Sequence, residues 1–523
     1  MVRKLPAGIQ SFEKIRTDGF LYIDKTEYIY QLVHDSVPYF LRRPRRFGKS
    51  LLLSAMKAYW EGKKELFTGL TIDKLEEGND NAWKSYPVFY FDFNGVNYQE
   101  EGALEEALNI LLKRWEKEYG CDEKETSLSA RFQNLLIKAS EKTSLRCVIL
   151  IDEYDKPLLD VIDKKELQDH NKEVFKGFFS SLKSFDEYIQ FIFITGVSKF
   201  HKVSIFSDLN QLVDISLSQK YAGICGITEE EIKRDFAPEI EELAKAQHVS
   251  KDECMSELAK MYDGYHFHPE GIGVYNPYSL LNAFFNNELG SYWFETGTPT
   301  FLIKKLRENR FDVRKLTDRT IFANESALKD YTGDSIDPIP LLYQTGYLTI
   351  GDYNKKRSRY MLCFPNDEVK YGFLESLMPS YVPRANVGNG LDIFTLDEYV
   401  ENGELERLRD YFTALFAGIS YTVEADPFEH YFQSVIYVVF TLLGKLVACE
   451  MHTYSGRIDC KVETEKYIYL FGFKRDDTAR AALDQINTKD YALPFVVDNR
   501  KLYKIGVSFD SATRKLGGWK VEE

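Results

Sequence analysis

A chain of 523 residues is too long for one ordinary domain, and two or three are expected. Its 44% hydrophobic and 28% charged residues are the composition of folded globular protein and exclude long disordered tracts. The net charge of −14 excludes a global attraction to nucleic acid, so any DNA or RNA contact has to use local basic patches.

The N-terminus, MVRKLPAGIQSFEKIR, lacks the apolar run of a signal peptide. The longest apolar stretch, near Ser434–Gly444, falls far short of a membrane span, so a cytoplasmic protein without a membrane partner is expected. Seven scattered cysteines form no C-x-x-C pair, which reads as reduced thiols rather than a zinc ribbon or disulfide framework. The first third alternates strand-like and helix-like segments. Pro38–Leu41 is a short apolar run entering a basic turn, and Ser50–Trp60 then has helical spacing. Tyr86–Phe93 (YPVFYFDF), Cys147–Ile151 (CVILI) and Gln190–Thr195 (QFIFIT) are apolar runs separated by long helical segments such as Gly102–Tyr119. That pattern predicts an α/β domain to about Leu217, built on a parallel sheet covered on both faces.

From Ser218 to Tyr381 a mostly helical middle region is expected, with helices over Glu229–Ala246 and Lys251–Met261 and turns at YDGYHF (262–267) and YNPYS (275–279). Pro383–Asn389 reads as a linker. Helices over Leu396–Phe416 and Pro427–Leu446 follow, and then an α/β pattern to the C-terminus.

The segment FLRRPRRFGKSLLLS (40–54) joins a strand to a helix start, as a phosphate-binding P-loop does. Gly48 lets the backbone approach phosphates, Lys49 reaches the β/γ oxygens, and the Ser50 hydroxyl is a magnesium ligand. Phe47 and Leu51 flank these residues in the binding loop. The pattern G-x-x-x-x-G-K-[ST] asks for glycine where Arg43 stands. Arg42, Arg43, Arg45 and Arg46 are candidates to clamp phosphates or to act as arginine fingers on a neighbouring subunit of a homo-oligomer. The alternative is a basic loop paired with surface acids.

Residues 147–155 (CVILIDEYD) supply the second half of such a site. Asp152, at the strand end, is placed to hold the magnesium shell, and Glu153 to polarise a water for in-line attack. After the third strand, Ser198 is either a γ-phosphate sensor or a turn residue. In the middle region, Asp263, His266 and Asn276 could line a cleft, but Tyr-Gly and Asn-Pro turns account for themselves. His266 and His268, two apart, are poor metal ligands.

With these motifs the chain resembles the AAA-ATPase-like proteins of bacteria and archaea that carry a C-terminal nuclease-fold domain. The matching strings include YIDKT (22–26), LRRPRRFGKS (41–50), ILIDEYDKP (149–157), FITGVSKF (193–200), SIFSDLNQL (204–212), YWFETGTPTFL (292–302) and QTGYLTI (344–350). The resemblance covers nearly the whole chain. It implies a P-loop ATPase domain over 1–217, a helical middle over 218–384 and a PD-(D/E)xK nuclease-like domain over 385–523. ATP and magnesium are the implied cofactors, and in that family arginine at the first P-loop glycine is normal.

The C-terminal segment GRIDCKVETEKYIYLFGFK (456–474) contains two amphipathic strands. Nucleases of the PD-(D/E)xK kind place an Asp on one strand and Glu-x-Lys on the next, the acids holding magnesium. Asp459 and Lys474 fit, Glu429 and Glu450 are candidate further acids, and Gln485 sits in the following helix. Gly472 stands where the second strand acid is expected. A nuclease-fold module that binds DNA, RNA or another partner is therefore favoured over an active nuclease. Two functions remain open: an ATPase that regulates this module on nucleic acid, and a nucleotide-dependent switch or scaffold without rapid turnover.

Overall fold

The computed structural model describes residues 3–35, 37–122, 124–200, 212–295, 300–308, 311, 313–316, 321–329, 337–381, 393–417, 435–441, 446–453, 456–510 and 515–523. They belong to two compact units, one of Met1–Glu295 with Phe322–Asp367, the other of Thr296–Ile321 with Glu368–Glu523. The expected middle region, 218–384, is divided between the two.

The first unit is built on five strands: β1 (Tyr39–Arg42), β2 (Val88–Asp92), β3 (Cys147–Asp152), β4 (Ile189–Gly196) and β5 (Val213–Asp214). They lie in the order β2-β3-β4-β1-β5, every neighbouring pair parallel. β3 is buried along its whole length, as a parallel strand with helices on both faces must be. On one face lies α1 (Lys49–Trp60), with Trp60 5.5 Å from Phe191 between ring centroids. On the other lie α2 (Ala103–Tyr119), α3 (Leu128–Thr143) and α4 (Lys165–Phe179). There Phe91 meets Trp115 at 4.9 Å, Phe132 at 5.3 Å and Phe179 at 5.7 Å. Each such ring removed from water contributes roughly 1.5–3 kcal/mol, which is why aromatic-rich strands identify this core.

The middle residues are largely helical. The single helix expected over Glu229–Ala246 is two, α5 (Glu229–Asp235) and α6 (Ala237–Gln247). Pro238 is the reason: it lacks the N–H that would bond one turn back and its ring crowds the carbonyl four residues earlier, so it sits in the first turn of a new helix after Phe236. α7 (Lys251–Tyr262) opens on a capping box of Ser250 and Glu253. α8 (Pro277–Asn286) opens on Asn276, whose side-chain oxygen accepts the amides of Tyr278 and Ser279. Three strands unforeseen in this region, β6 (Ile321–Ala323), β7 (Thr349–Asn354) and β8 (Arg359–Cys363), form a small sheet in the order β6-β8-β7.

In the second unit the helix expected over Leu396–Phe416 is α9 (Ile393–Asn402) and α10 (Leu405–Ala417), parted at Gly403 with φ 69°. Residues 435–441 are helical, and Leu446 already belongs to a strand. The linker expected at Pro383–Asn389 lies outside the described residues. Strands β9 (Leu446–Thr453), β10 (Gly456–Glu463), β11 (Tyr467–Arg475), β12 (Lys501–Asp510) and β13 (Lys515–Glu522) form a sheet in chain order. Only the β11–β12 pair is parallel, and α11 (Ala479–Thr488) makes that crossover. Among the described residues no helix is long and apolar enough to cross a membrane.

Candidate functional site

The sheet order separates β1, which feeds the basic turn, from β3, which carries the acids, by the single strand β4. All three end at the same edge, where ligands of open α/β sheets bind. Gly48 precedes α1 with φ 92°, a left-handed conformation suited to glycine. The first-turn amides of α1, those of Lys49, Ser50 and Leu51 among them, have no carbonyl one turn back and point toward an anion position. Lys49 is buried, and its ammonium donates to the carbonyls of Arg43 (3.0 Å) and Pro44 (3.1 Å). It also lies 3.8 Å from the Glu153 carboxylate, so the loop and the β3 edge meet at this side chain.

The four arginines separate into two kinds. Arg42 is buried and donates to the carbonyls of Leu328 and Lys329, at 2.8 and 3.2 Å. Arg43 is completely buried, donates to the carbonyls of Arg42, Ser216 and Tyr221, and stacks 3.9 Å above the Phe267 ring. Burial draws its guanidinium down to about 10. Its donors face the protein rather than the loop mouth, unlike the sequence-based assignment to the nucleotide. Arg45 and Arg46 are exposed, and Arg46, with φ 66°, stacks over Tyr278 at 4.8 Å. Phe47 is buried against Tyr265 (4.7 Å) and Phe267 (5.9 Å). The YDGYHF and YNPYS motifs thus wrap the basic turn. Asn276 is a helix cap, while the His266 amide donates to the Thr349 hydroxyl (2.7 Å). The ring of His268 accepts the Glu270 amide, and one oxygen of Asp263 is buried without a hydrogen-bond partner among the described residues.

Asp152 ends β3 fully buried, and three elements reach it. The Thr195 hydroxyl of β4 donates at 2.6 Å and the Tyr90 hydroxyl of β2 at 3.3 Å, and the Ser50 hydroxyl of α1 lies beside it. Burial raises the Asp152 carboxyl above the ordinary range, while the Ser50 and Thr195 hydrogen bonds oppose that rise. Glu153, half-buried, follows with φ 50°. One carboxylate beside one hydroxyl fits magnesium, which keeps several waters and takes one or two protein carboxylates besides phosphate oxygens. No cluster of three or more His, Cys, Asp or Glu suited to a metal occurs among the described residues, so an all-protein cage is not what this edge offers.

Residues 6–206 match the AAA-ATPase-like family described as "Predicted AAA-ATPase", and residues 427–519 match the PD-(D/E)XK nuclease superfamily. A protein of Azotobacter chroococcum mcd 1, described as an uncharacterized protein in the vnfD 5' region, is 35% identical over 536 residues, covering 99% of each chain. The chain belongs to this AAA-ATPase-like family with a C-terminal PD-(D/E)XK nuclease-superfamily domain.

The family's nuclease-like edge has a different character here. Asp459 lies on β10 and accepts the Phe473 amide of β11 at 2.7 Å, just past the last paired residues, Cys460 and Phe471. Extending that register by one residue sets Asp459 opposite Gly472. Lys474 shares the face of Gly472, since residues two apart on a strand do. That face does not open into a cleft at 472. A Cβ there would lie 3.1 Å from the Ala482 carbonyl and 3.2 Å from Ile486 on α11. Gly506, paired with Gly472 on β12, is tighter still, its Cβ position 2.1 Å from the Ala479 carbonyl. The two glycines are a seat for α11. Gln485 is on α11, partly exposed. Glu450 lies within β9, and Glu429 is outside the described residues.

Three residues of the nucleotide edge escape a sequence reading. Thr195 and Tyr90 look like ordinary strand residues, and Asp155 like one more acid of a polar turn. The available signal was parity for Thr195: on a strand between the loop strand and the acid strand, a polar terminal residue faces both. Ser198, the polar residue the sequence offers instead, bonds Asp155.

Proposed function

We propose that this AAA-ATPase-like protein binds ATP with magnesium and hydrolyses it at the edge formed by β1, β3 and β4. The convergence of Lys49, Ser50, Asp152 and Glu153 on that edge carries the reading. ATP with magnesium supplies the electrophilic γ-phosphoryl group and part of the charge neutralisation. Lys49 neutralises the β/γ oxygens, Ser50 and Asp152 hold the metal, and Glu153 takes the proton of the attacking water. Gly48, Leu51 and Phe47 form the loop around the phosphates. Arg45 and Arg46, the exposed arginines, contact phosphates or reach a neighbouring copy, whereas Arg43 braces the loop from behind. Magnesium-dependent phosphate release by the whole chain, lost in Lys49→Ala, is the test. Phosphate release unchanged by that substitution would end the reading.

In the same proposal the ATPase regulates the C-terminal module, which binds DNA or RNA near Asp459 and Lys474 without efficient cleavage. The close approach of residue 472 to α11 supports binding over cleavage, since an acid there would have to press on the Ala482 carbonyl and Ile486. The other function still considered is a nucleotide-dependent switch or scaffold. Its supporting observation is the 3.8 Å approach of Lys49 to Glu153, which pairs the base with a cation. A burst of one phosphate per chain followed by negligible turnover would favour it.

A further inference from the structure

We propose that Asp155 is a positioning residue for hydrolysis, holding Glu153 in place by locking the turn after β3 to the turn after β4. The inference rests on the ATPase reading.

Glu153 has φ 50°, a left-handed conformation that non-glycine residues adopt only when their surroundings impose it. The three residues from Glu153 to Asp155 are tied one after another to the end of β4. The Glu153 amide reaches the Thr195 hydroxyl at 3.4 Å, and the Tyr154 amide donates to the Thr195 carbonyl at 3.0 Å. The Tyr154 hydroxyl donates to the Ser198 carbonyl and accepts the Phe200 amide, both at 3.0 Å. Asp155 closes the arrangement. Its Oδ2 accepts the amides of Val197 (3.0 Å) and Ser198 (2.6 Å) and the Ser198 hydroxyl (2.8 Å), while Oδ1 accepts Val197 again at 3.1 Å.

The space is filled completely. Asp155 is 1% exposed, and a Cβ on Gly196 would lie 2.6 Å from its Oδ1 and 2.8 Å from the Tyr154 ring. An apolar side chain would occupy this pocket without the cost of burying a carboxylate. What an apolar side chain cannot do is fix two amides and a hydroxyl of one turn at once. Because Asp155 is two residues from Glu153, that fixation sets where the Glu153 side chain leaves the backbone. Lys49, Ser50 and Asp152 are held by other contacts, so ATP binding does not depend on the lock.

The test compares turnover with binding in the whole chain, using ATP and magnesium. For Asp155→Ala, kcat should fall about tenfold or more while the equilibrium affinity for magnesium-ATP stays within about twofold. Amide hydrogen exchange at Val197 and Ser198 should speed up without nucleotide. Asp155→Asn, which keeps an oxygen for the Ser198 amide, should recover most of the lost kcat. Ser198→Ala and Tyr154→Phe each remove one tie and should lower kcat less, again without loss of affinity. These two decide the matter if Asp155→Ala does not fold. Unchanged kcat in both, or affinity falling in step with kcat, would overturn the proposal. Glu153→Gln in the same assay separates the two readings. If it slows hydrolysis and the Asp155, Ser198 and Tyr154 variants do not, only the lock is wrong. If it has no effect, the ATPase reading fails and the lock falls with it.

Discussion

At the edge of the first sheet, Asp152 is met by hydroxyls from β2 and β4 with Ser50 of α1 beside it, and the Lys49 ammonium approaches its neighbour Glu153. At the edge of the second sheet, Asp459 is met by a backbone amide of the adjoining strand, and the neighbouring acid position is a glycine under a helix. Both edges offer a strand-borne aspartate and a lysine. The difference lies in what the surrounding elements bring. Side-chain hydroxyls of two neighbouring strands hold the first carboxylate, whereas a backbone amide of the adjoining strand bonds the second. Chemistry therefore follows convergence, and residue type alone does not secure it.

The largest effect should come from the first edge. Glu153→Gln should lower kcat roughly 10²- to 10³-fold, because an amide cannot take the proton of the attacking water. ATP binding, followed by equilibrium titration, should persist in Glu153→Gln and disappear in Lys49→Ala. A larger loss from Asp152→Asn with none from Glu153→Gln would exchange the two roles.

Next comes the brace behind the loop. Arg43→Met should destabilise the fold by about 2–4 kcal/mol in urea unfolding, since it strands buried carbonyls of Ser216 and Tyr221. Arg46→Ala, at an exposed position, should leave the unfolding curve in place and alter nucleotide affinity instead. The reverse pattern would return Arg43 to the phosphates.

The second edge yields a smaller effect. Gly472→Glu should cost about 1–3 kcal/mol, because the new side chain presses on Ala482 and Ile486. It should not create metal-dependent cleavage of DNA or RNA. Cleavage gained by that variant in a stably folded protein would make the two edges alike after all.

The smallest effect is a pH dependence. Burial, ahead of the opposing Ser198 hydrogen bond, lifts Asp155 to about 6, above the roughly 3.9 of an unfolded aspartate. A raised carboxyl favours the fold fully below about 4, and that contribution is lost as pH rises through about 6. The stability of Asp155→Asn relative to the parent should therefore improve between about pH 4 and 6 and level off above it. A flat difference across that range, measured by thermal melting, would mean that Asp155 is ionised throughout.

Much of this was legible in the amino-acid sequence. Near-continuous apolar runs such as CVILID and QFIFIT, short and rich in β-branched and aromatic residues, read as strands buried on both faces, and the run LRRPRRFGKS followed by LIDEYD points to a loop and an acid edge. Local rules also account for Asn276 and Ser250 as helix starts. The errors were local too: Pro238 and Gly403 each split a helix that periodicity had joined.

What lay beyond the one-dimensional text depends on which strands become neighbours. Until β4 inserts between β1 and β3, nothing distinguishes Thr195 from a strand residue or Asp155 from a surface acid. Until the middle motifs fold around the basic turn, four arginines look interchangeable, although two are buried on carbonyls and two face outward. Gly472 reads as a missing ligand along the chain and as a helix seat in space, because α11 crosses it only after β11 and β12 pair. Residue types and spacings specify which chemistry is available. Long-range pairing brings groups far apart in the chain within hydrogen-bonding distance, and so decides which of that chemistry is assembled.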